Sequence, residues 1–168
     1  MPNVIGIAAE YNPFHKGHMY QMMRSREMLG DAALVCVMSG SFVQRGAPAA
    51  FGKHARAEAA VRCGADLVLE LPLPWALSSA EGFARGCVGL LGALGVVTHM
   101  SFGAECGDIA PLREIAQTLL RPELDVRIGE ELRAGISYAA ARQRALEAFL
   151  GAETAALIAA PNNILAVE

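Results

Sequence analysis

Short, continuous apolar runs alternate along this chain with segments that carry a helical pattern, and this alternation most constrains the fold. The runs predict four strands, at residues 4–8, 33–38, 67–70 and 96–102. They are continuous rather than alternating, which is typical of parallel strands covered on both faces. The order of strands and helices therefore predicts an α/β protein with a doubly wound parallel sheet.

The segments between and after the strands carry the helical pattern. Helices are predicted at 17–29, 53–63, 80–91 and 112–119, the last after Pro111, and from a Ser137 cap to about residue 150. The triplet Pro161-Asn162-Asn163 is interpreted as a turn and N-cap, followed by a further apolar helical pattern. In doubly wound sheets, ligands bind outside the carboxyl ends of the strands. The residues just after each strand are therefore the first candidates for a site.

Composition and charge exclude several classes of protein. The chain has 168 residues, 54% of them hydrophobic and 18% charged, which excludes intrinsic disorder and favours a single domain over residues 1–168. Its net charge of −3 gives no overall electrostatic footprint for nucleic acid. No signal peptide is predicted, because the first residues carry neither a basic segment nor a long apolar one, and no apolar run approaches the roughly 20 residues that span a bilayer. The four cysteines are widely spaced, so we expect buried, reduced thiols in a cytoplasmic protein.

Two histidines follow the first predicted strand and lie at the mouth of the first predicted helix. The segment His15-Lys16-Gly17-His18 places them three residues apart, with a glycine that allows a ligand close to the backbone. A helix N-terminus favours phosphate, and two imidazoles there can stabilise charge on a reacting phosphorus and its leaving pyrophosphate. The alternatives are two unrelated surface histidines, or a metal site. A metal site needs a third ligand that no nearby residue supplies, so none is predicted.

Longer strings of residues carry a resemblance to one family. They are Glu10 to His18 (EYNPFHKGH), Met38 to Gly46 (MSGSFVQRG), Gly64 to Pro72 (GADLVLELP), Ser101 to Glu105 (SFGAE) and Pro161 to Leu165 (PNNIL). In order and register they resemble the bacterial tRNA(Met) cytidine acetate ligase family. That family belongs to the HxGH nucleotidylyltransferase superfamily. The resemblance implies a Rossmann-like nucleotidylyltransferase fold of HUP type.

The resemblance also implies an activity and a site. Members activate acetate with ATP as acetyl-adenylate and transfer the acetyl group to N4 of the wobble cytidine of elongator tRNA(Met). His15 and His18 would be the catalytic residues, and Mg²⁺ is expected to neutralise the triphosphate. The implied ATP-binding residues are Ala8, Ala9, Glu10, Tyr11, Asn12, Pro13, Phe14, His15, Lys16, Gly17, His18, Met19, Tyr20, Gln21, Gly103 and Asn162.

A second set of polar residues has both a functional and a structural interpretation. Arg45, Lys53 and Arg56 are candidates for contacts with phosphate or tRNA, although a solvated loop or helix face would also explain them. Glu10 and Glu70 are either functional carboxylates or helix-capping partners.

Two departures from the family pattern are Ala47, where glutamate is common, and Ala104, where serine is common. The family's later phosphate loop and C-terminal region have no counterpart here, so we expect this chain to be the N-terminal part of a longer protein. Two other functions stay open from the residues. One is an adenylyl- or cytidylyltransferase with a small-molecule acceptor, and the other is a non-catalytic nucleotide-binding module.

Overall fold

The computed structural model describes residues 2–168, with the side chain of Arg45 left outside the description. These residues form two compact units, of which the first ends at Phe102 and the second spans Gly103–Glu168. The expectation of one domain over residues 1–168 stays a prediction. Among the described residues, no helix combines the length and the apolar character needed to cross a membrane.

The first unit alternates strands and helices as predicted. The strands are β1 (Val4–Ala9), β2 (Ala33–Ser39), β3 (Leu67–Leu71) and β4 (His99–Ser101). The helices are α1 (Lys16–Leu29), α2 (Lys53–Arg62), α3 (Leu73–Ala76) and α4 (Ala80–Ala93). The sequence pattern did not predict the short α3, which begins beside Pro72, or the single 3-10 turn at Gln44–Gly46.

The four strands form one parallel sheet in the order β3-β2-β1-β4. The chain adds β2 and β3 on one side of β1 and then places β4 on the other side. The strand order therefore reverses at β1. Such a switch point is where open α/β sheets bind their ligands.

Helices cover both faces of this sheet. Ile5 and Ile7 of β1 lie on one face, in a buried cluster that includes Met22 of α1 and Ala60 of α2. Gly6 points to the other face, where a Cβ atom would lie 2.9 Å from Leu91 of α4. Since successive strand residues face opposite sides, the sheet is doubly wound. The predicted fold class is confirmed.

The fourth strand is shorter than predicted. It begins at His99 instead of residue 96, because the Thr98 hydroxyl takes the place of a ladder partner. The Val4 N–H donates to Thr98 Oγ1 at 2.9 Å, while the same hydroxyl donates to the Val4 carbonyl at 3.1 Å. Regular pairing starts only with Ile5 opposite His99.

Two glycines of α4 provide a matched test of packing. A Cβ atom on Gly86 would lie 2.6 Å from Trp75 Cβ, whereas one on Gly89 would meet nothing within 4 Å. We expect Gly86→Ala to lower the free energy of unfolding by about 1–3 kcal/mol, because α3 and α4 must separate. Gly89→Ala should raise it by about 0.5–1 kcal/mol through helix propensity. Urea unfolding measures both, and shifts of the same sign would contradict this packing.

The second unit is helical. Its helices are α5 (Ile109–Leu119), α6 (Pro122–Arg133), α7 (Tyr138–Leu150), α8 (Ala152–Ala156) and α9 (Pro161–Val167). The predicted Ser137 cap of α7 is confirmed, because the Ala140 N–H donates to Ser137 Oγ at 3.4 Å. The sequence analysis missed α6, whose Leu124 and Ile128 point into the core one turn apart. Pro122 and two acidic residues in its first turn were the available signals.

Helix α9 begins earlier than predicted. The interpretation of Pro161-Asn162-Asn163 as a turn and N-cap is wrong, since all three residues lie inside the helix and Ala160 is the N-cap. Proline costs nothing at the first helical position, where its missing N–H would have had no partner in the helix. The free N–H groups of Asn162 and Asn163 in the first turn of α9 donate to the Glu105 carboxylate.

Candidate functional site

The loop after β1 turns sharply before it enters α1. Tyr11 has a φ of +48°, in the left-handed region that side chains rarely adopt, and the Asn12–Pro13 peptide bond is cis. The Tyr11 side chain is 1% exposed, and its hydroxyl donates to Cys36 Sγ in β2 at 3.2 Å. This buried ring anchors the loop to the sheet directly before the two histidines.

The histidines form a reciprocal cap at the start of α1. His15 is the N-cap residue, and its Nδ1 accepts a hydrogen bond from the Gly17 N–H at 3.1 Å. His18 reaches back, and its Nδ1 accepts from the His15 N–H at 3.2 Å. Because both Nδ1 atoms accept, both neutral rings carry their proton on Nε2. The site therefore presents two Nε2–H donors, and the two rings stack with centroids 3.7 Å apart.

The glycine between the histidines has a packing role as well as a chemical one. A Cβ atom on Gly17 would lie 3.0 Å from His15 Cε1. That approach is tighter than ordinary van der Waals contact, so a side chain there would push the His15 ring away. The spacing of the HxGH loop thus follows from the stacked geometry of its rings.

The ring of His18 lies among other aromatic side chains. The Tyr11 ring meets it edge-on at a centroid distance of 4.8 Å, and the Phe14 ring lies at 5.5 Å. Burial, followed by the charge of His15, lowers the pKa of His18 to about 4. At neutral pH His18 is thus an uncharged hydrogen-bond donor.

This shift predicts a pH dependence of stability. Between the ordinary pKa of about 6.5 and the folded value of about 4, the unfolded chain binds a proton that folded His18 does not bind. We therefore expect His18 to lower the free energy of unfolding as pH falls through this window, with no contribution above it. Urea unfolding of the unaltered chain and of His18→Gln, which cannot titrate, measures the difference. Equal slopes in the two proteins would contradict it.

Two polar side chains of the loop are engaged with the segment that follows β2. Glu10 Oε1 accepts from the Gln44 N–H at 2.6 Å, and Asn12 Oδ1 accepts from the Ala50 N–H, also at 2.6 Å. The Glu10 carboxylate therefore has a local hydrogen-bonding partner in this segment. Its contact with ATP, like that of Asn12, stays a prediction.

Helix α1 connects the loop to the end of β4. The Gln21 side chain donates to Ser101 Oγ at 3.2 Å, and Ser25 Oγ lies 2.7 Å from the same oxygen. These contacts place the β1 loop beside the end of β4, at the switch point of the sheet. Met19 and Tyr20, also predicted to bind ATP, are exposed on the same helix.

The three basic candidates have different surroundings. Lys53 forms an ion pair with Glu70, Nζ to Oε2 2.6 Å, which gives the Glu70 carboxylate a local partner. Arg56 is 2% exposed and donates to backbone carbonyl groups. This position favours a role in fixing the loops, and a contact of Arg56 with phosphate or tRNA stays a prediction only. The side chain of Arg45 lies outside the described part of the chain.

Gly103 and Asn162, the remaining predicted ATP-binding residues, belong to the second unit. Glu105 Oε1 accepts from the Asn162 side-chain amide at 2.9 Å and from its backbone N–H at 3.2 Å, while Oε2 accepts from the Asn163 N–H at 3.0 Å. Burial acts to raise the pKa of Glu105, but these hydrogen bonds outweigh it and leave the pKa below its usual value. Local sequence patterns do not reveal this cap, because Glu105 and the start of α9 are far apart in the chain.

The fold and the loop define a class. They combine a doubly wound parallel sheet with paired histidine donors at the first strand-to-helix turn, an arrangement that can bind and stabilise the phosphates of a nucleotide. A family model described as HIGH Nucleotidyl Transferase matches residues 2–168. The chain belongs to this HIGH nucleotidyl transferase family.

Individual relatives show which enzymes within this family the chain resembles. The chain is 45% identical over 169 residues to the tRNA(Met) cytidine acetate ligase of Acetivibrio thermocellus, covering 98% of this chain and 41% of the relative. It is 47% identical over 170 residues to the enzyme of the same name from Syntrophomonas wolfei, with the same two coverages. A crystal structure of Thermotoga maritima TmcAL bound with alpha-thio ATP superposes with a TM-score of 0.93 at 42% identity. That match covers 98% of this chain and 42% of the other.

These comparisons confirm the resemblance to the tRNA(Met) cytidine acetate ligases and the nucleotidylyltransferase fold. The chain spans 41% of the length of the two curated relatives named above.

Proposed function

We propose that this chain is the nucleotide-handling part of an enzyme that activates acetate with ATP and acetylates N4 of the wobble cytidine of elongator tRNA(Met). The observation that supports it most is the pair of Nε2–H donors at the switch point of the sheet. The curated relatives that carry the name of this activity, at 45% and 47% identity, point in the same direction.

In the proposed first step, a carboxylate oxygen of acetate attacks the α-phosphorus of ATP. A new P–O bond forms, the bond to the bridging oxygen of the β-phosphate breaks, and pyrophosphate leaves. His15 and His18 donate from Nε2 to phosphate oxygens as negative charge develops, and the N-terminus of α1 adds the positive end of its dipole. Neutral His18 needs no proton transfer for this task.

In the proposed second step, the N4 amine of cytidine attacks the acetyl carbonyl carbon of the adenylate. The C–N bond forms, the bond from the acetyl carbon to the phosphate oxygen breaks, and AMP leaves with the electron pair. The proton that the amine loses passes to water or to a phosphate oxygen of the departing AMP.

The proposed nucleotide contacts are residues 8–21 of the first unit, together with Gly103 and Asn162. Lys53 and Arg45 are the proposed contacts with phosphate or tRNA. Mg²⁺ commonly takes most of its ligands from substrate phosphates and water. Mg²⁺ is therefore proposed to bind as its complex with ATP and to neutralise the charge of the triphosphate, without an assigned protein ligand.

Transfer of labelled acetate to tRNA tests this function. The protein would be the present chain joined to the remaining length of the Acetivibrio thermocellus relative, so that its length matches that of the relative. We expect ATP-dependent labelling of an elongator tRNA(Met) transcript and none of the same transcript with uridine at the wobble position. A protein that binds ATP but labels neither transcript would contradict the proposal and favour a small-molecule acceptor or a non-catalytic module.

A further inference from the structure

Arg56 is a buried cation that the proposed chemistry does not use. It lies in the first turns of α2, and its side chain is among the largest that are fully buried. Burying a guanidinium is costly unless its N–H groups are hydrogen-bonded. The hydrogen bonds of this buried guanidinium must therefore offset its burial, and their partners indicate its role.

The guanidinium donates to backbone carbonyl groups of three separate segments. Nε donates to the Phe51 carbonyl at 3.0 Å, Nη1 to the Glu10 carbonyl at 2.6 Å, and Nη2 to the Gly40 carbonyl. Glu10 and Gly40 are the residues directly after β1 and β2, and Phe51 precedes α2. One side chain thus joins the carboxyl ends of two neighbouring strands, where no ladder partner remains for these oxygens.

Charge around Arg56 supports this arrangement. Burial lowers the pKa of Arg56, and the nearby carboxylates of Glu10 and Glu70 act in the opposite direction. Arginine stays protonated in proteins, so the group remains a fivefold donor. Lysine offers a single nitrogen in place of a planar fork and would not reach three separated carbonyl groups.

The hydrogen bond from Arg56 to the Glu10 carbonyl lies in the same loop as the histidine pair. Glu10 precedes Tyr11, the residue with positive φ whose ring packs against Phe14 and His18. The carboxylate of Glu10 and the amide of Asn12 bind residues 44 and 50, in the segment that ends at Phe51. Arg56 therefore fixes both the loop and the segment that holds it.

We propose that Arg56 is a positioning residue, whose guanidinium joins the ends of β1 and β2 and thereby holds the Tyr11 ring and the His15–His18 pair in their stacked geometry. Its consequence for catalysis rests on the proposed function. The positioning itself does not, so the two are tested separately.

The test follows His18 by NMR titration of its ring protons in the 168-residue chain. Arg56→Met removes the hydrogen bonds at similar volume, and Arg56→Lys keeps the charge. The matched control is Arg142→Met in the second unit, which breaks a partly buried ion pair with Glu168, Nη2 to Oε1 2.6 Å. Thermal unfolding of each protein checks that the folded state is the one observed.

With Arg56→Met, the pKa of His18 should rise by about one unit or more toward its ordinary value, as the Tyr11 ring loosens. Arg56→Lys should give a smaller rise, and it decides the question if Arg56→Met does not fold. Arg142→Met should leave His18 unchanged although it also lowers stability. An unchanged titration of His18 in a folded Arg56 variant would overturn the proposal and leave Arg56 as a stability residue.

Activity provides the second readout, in the joined protein described above. We expect Arg56→Lys to lower kcat for acetate-dependent ATP–pyrophosphate exchange by about 10- to 100-fold, with a smaller change in KM for ATP. A shifted His18 pKa with unchanged exchange would support the positioning role and contradict the catalytic role of the histidines. The failure of one proposal is thus distinguishable from the failure of the other.

Discussion

Replacing His18 by alanine is expected to lower the rate of acetate-dependent ATP–pyrophosphate exchange by about 10²- to 10³-fold, the usual cost of one preorganised donor to a developing charge. The variant loses the Nε2–H donor of His18 and also the Nδ1 atom that accepts from the His15 N–H at 3.2 Å. His15 then loses part of the cap that orients it. Exchange kinetics of the joined protein measure the effect.

His54→Ala is the matched control for this variant. His54 is an exposed histidine of α2 and lies outside the capped pair. Its replacement should leave the exchange rate within a factor of about three. If His18→Ala retained the rate of the unaltered protein while folded, the assignment of the paired histidines to the phosphate chemistry would be wrong.

Replacing Asn163 by alanine is expected to lower the free energy of unfolding of the second unit by about 2–4 kcal/mol, because three partly buried backbone groups lose their hydrogen bonds to a buried side chain. Asn163 is 1% exposed. Its Oδ1 accepts from the N–H groups of Glu105 and Cys106 at 2.9 and 3.4 Å, and its amide donates to the Leu157 carbonyl at 2.9 Å. Amide hydrogen exchange resolved by residue measures the loss in α9 and its neighbours.

The neighbouring Asn162 is a natural control. It is exposed, and its amide binds only Glu105 among the described contacts. Asn162→Ala should change stability by less than about 1 kcal/mol. It should instead weaken ATP binding, if the proposed contact with the nucleotide is correct. Equal loss of stability in the two variants would contradict the described packing around Asn163.

The sheet and the histidine loop were predictable from sequence for clear physical reasons. Strands buried on both faces leave continuous apolar runs, and the two histidines follow such a run with a glycine between them. The boundaries of β1, β2 and β3 fall within a residue of those predicted. Strand β4 starts later because a hydroxyl group replaces its first ladder bond, and no apolar pattern carries that information.

The supports of the site were not predictable from local sequence. Its helix position makes Arg56 a candidate for contact with phosphate or tRNA, and its hydrogen-bond partners in the structure are carbonyl groups up to 46 positions away. Glu105 caps a helix 57 positions further along the chain. Such roles depend on which strand ends and loops the fold brings together. They appear only once the three-dimensional arrangement is known.

ATP–pyrophosphate exchange by the joined protein, with and without acetate, shows whether the histidine loop supports activation of a carboxylate. We expect exchange that requires acetate and is lost in His18→Ala, because the carboxylate attacks ATP at the histidine loop. Exchange that is equally fast without acetate, or no exchange by a protein that binds ATP, would contradict carboxylate activation at this site.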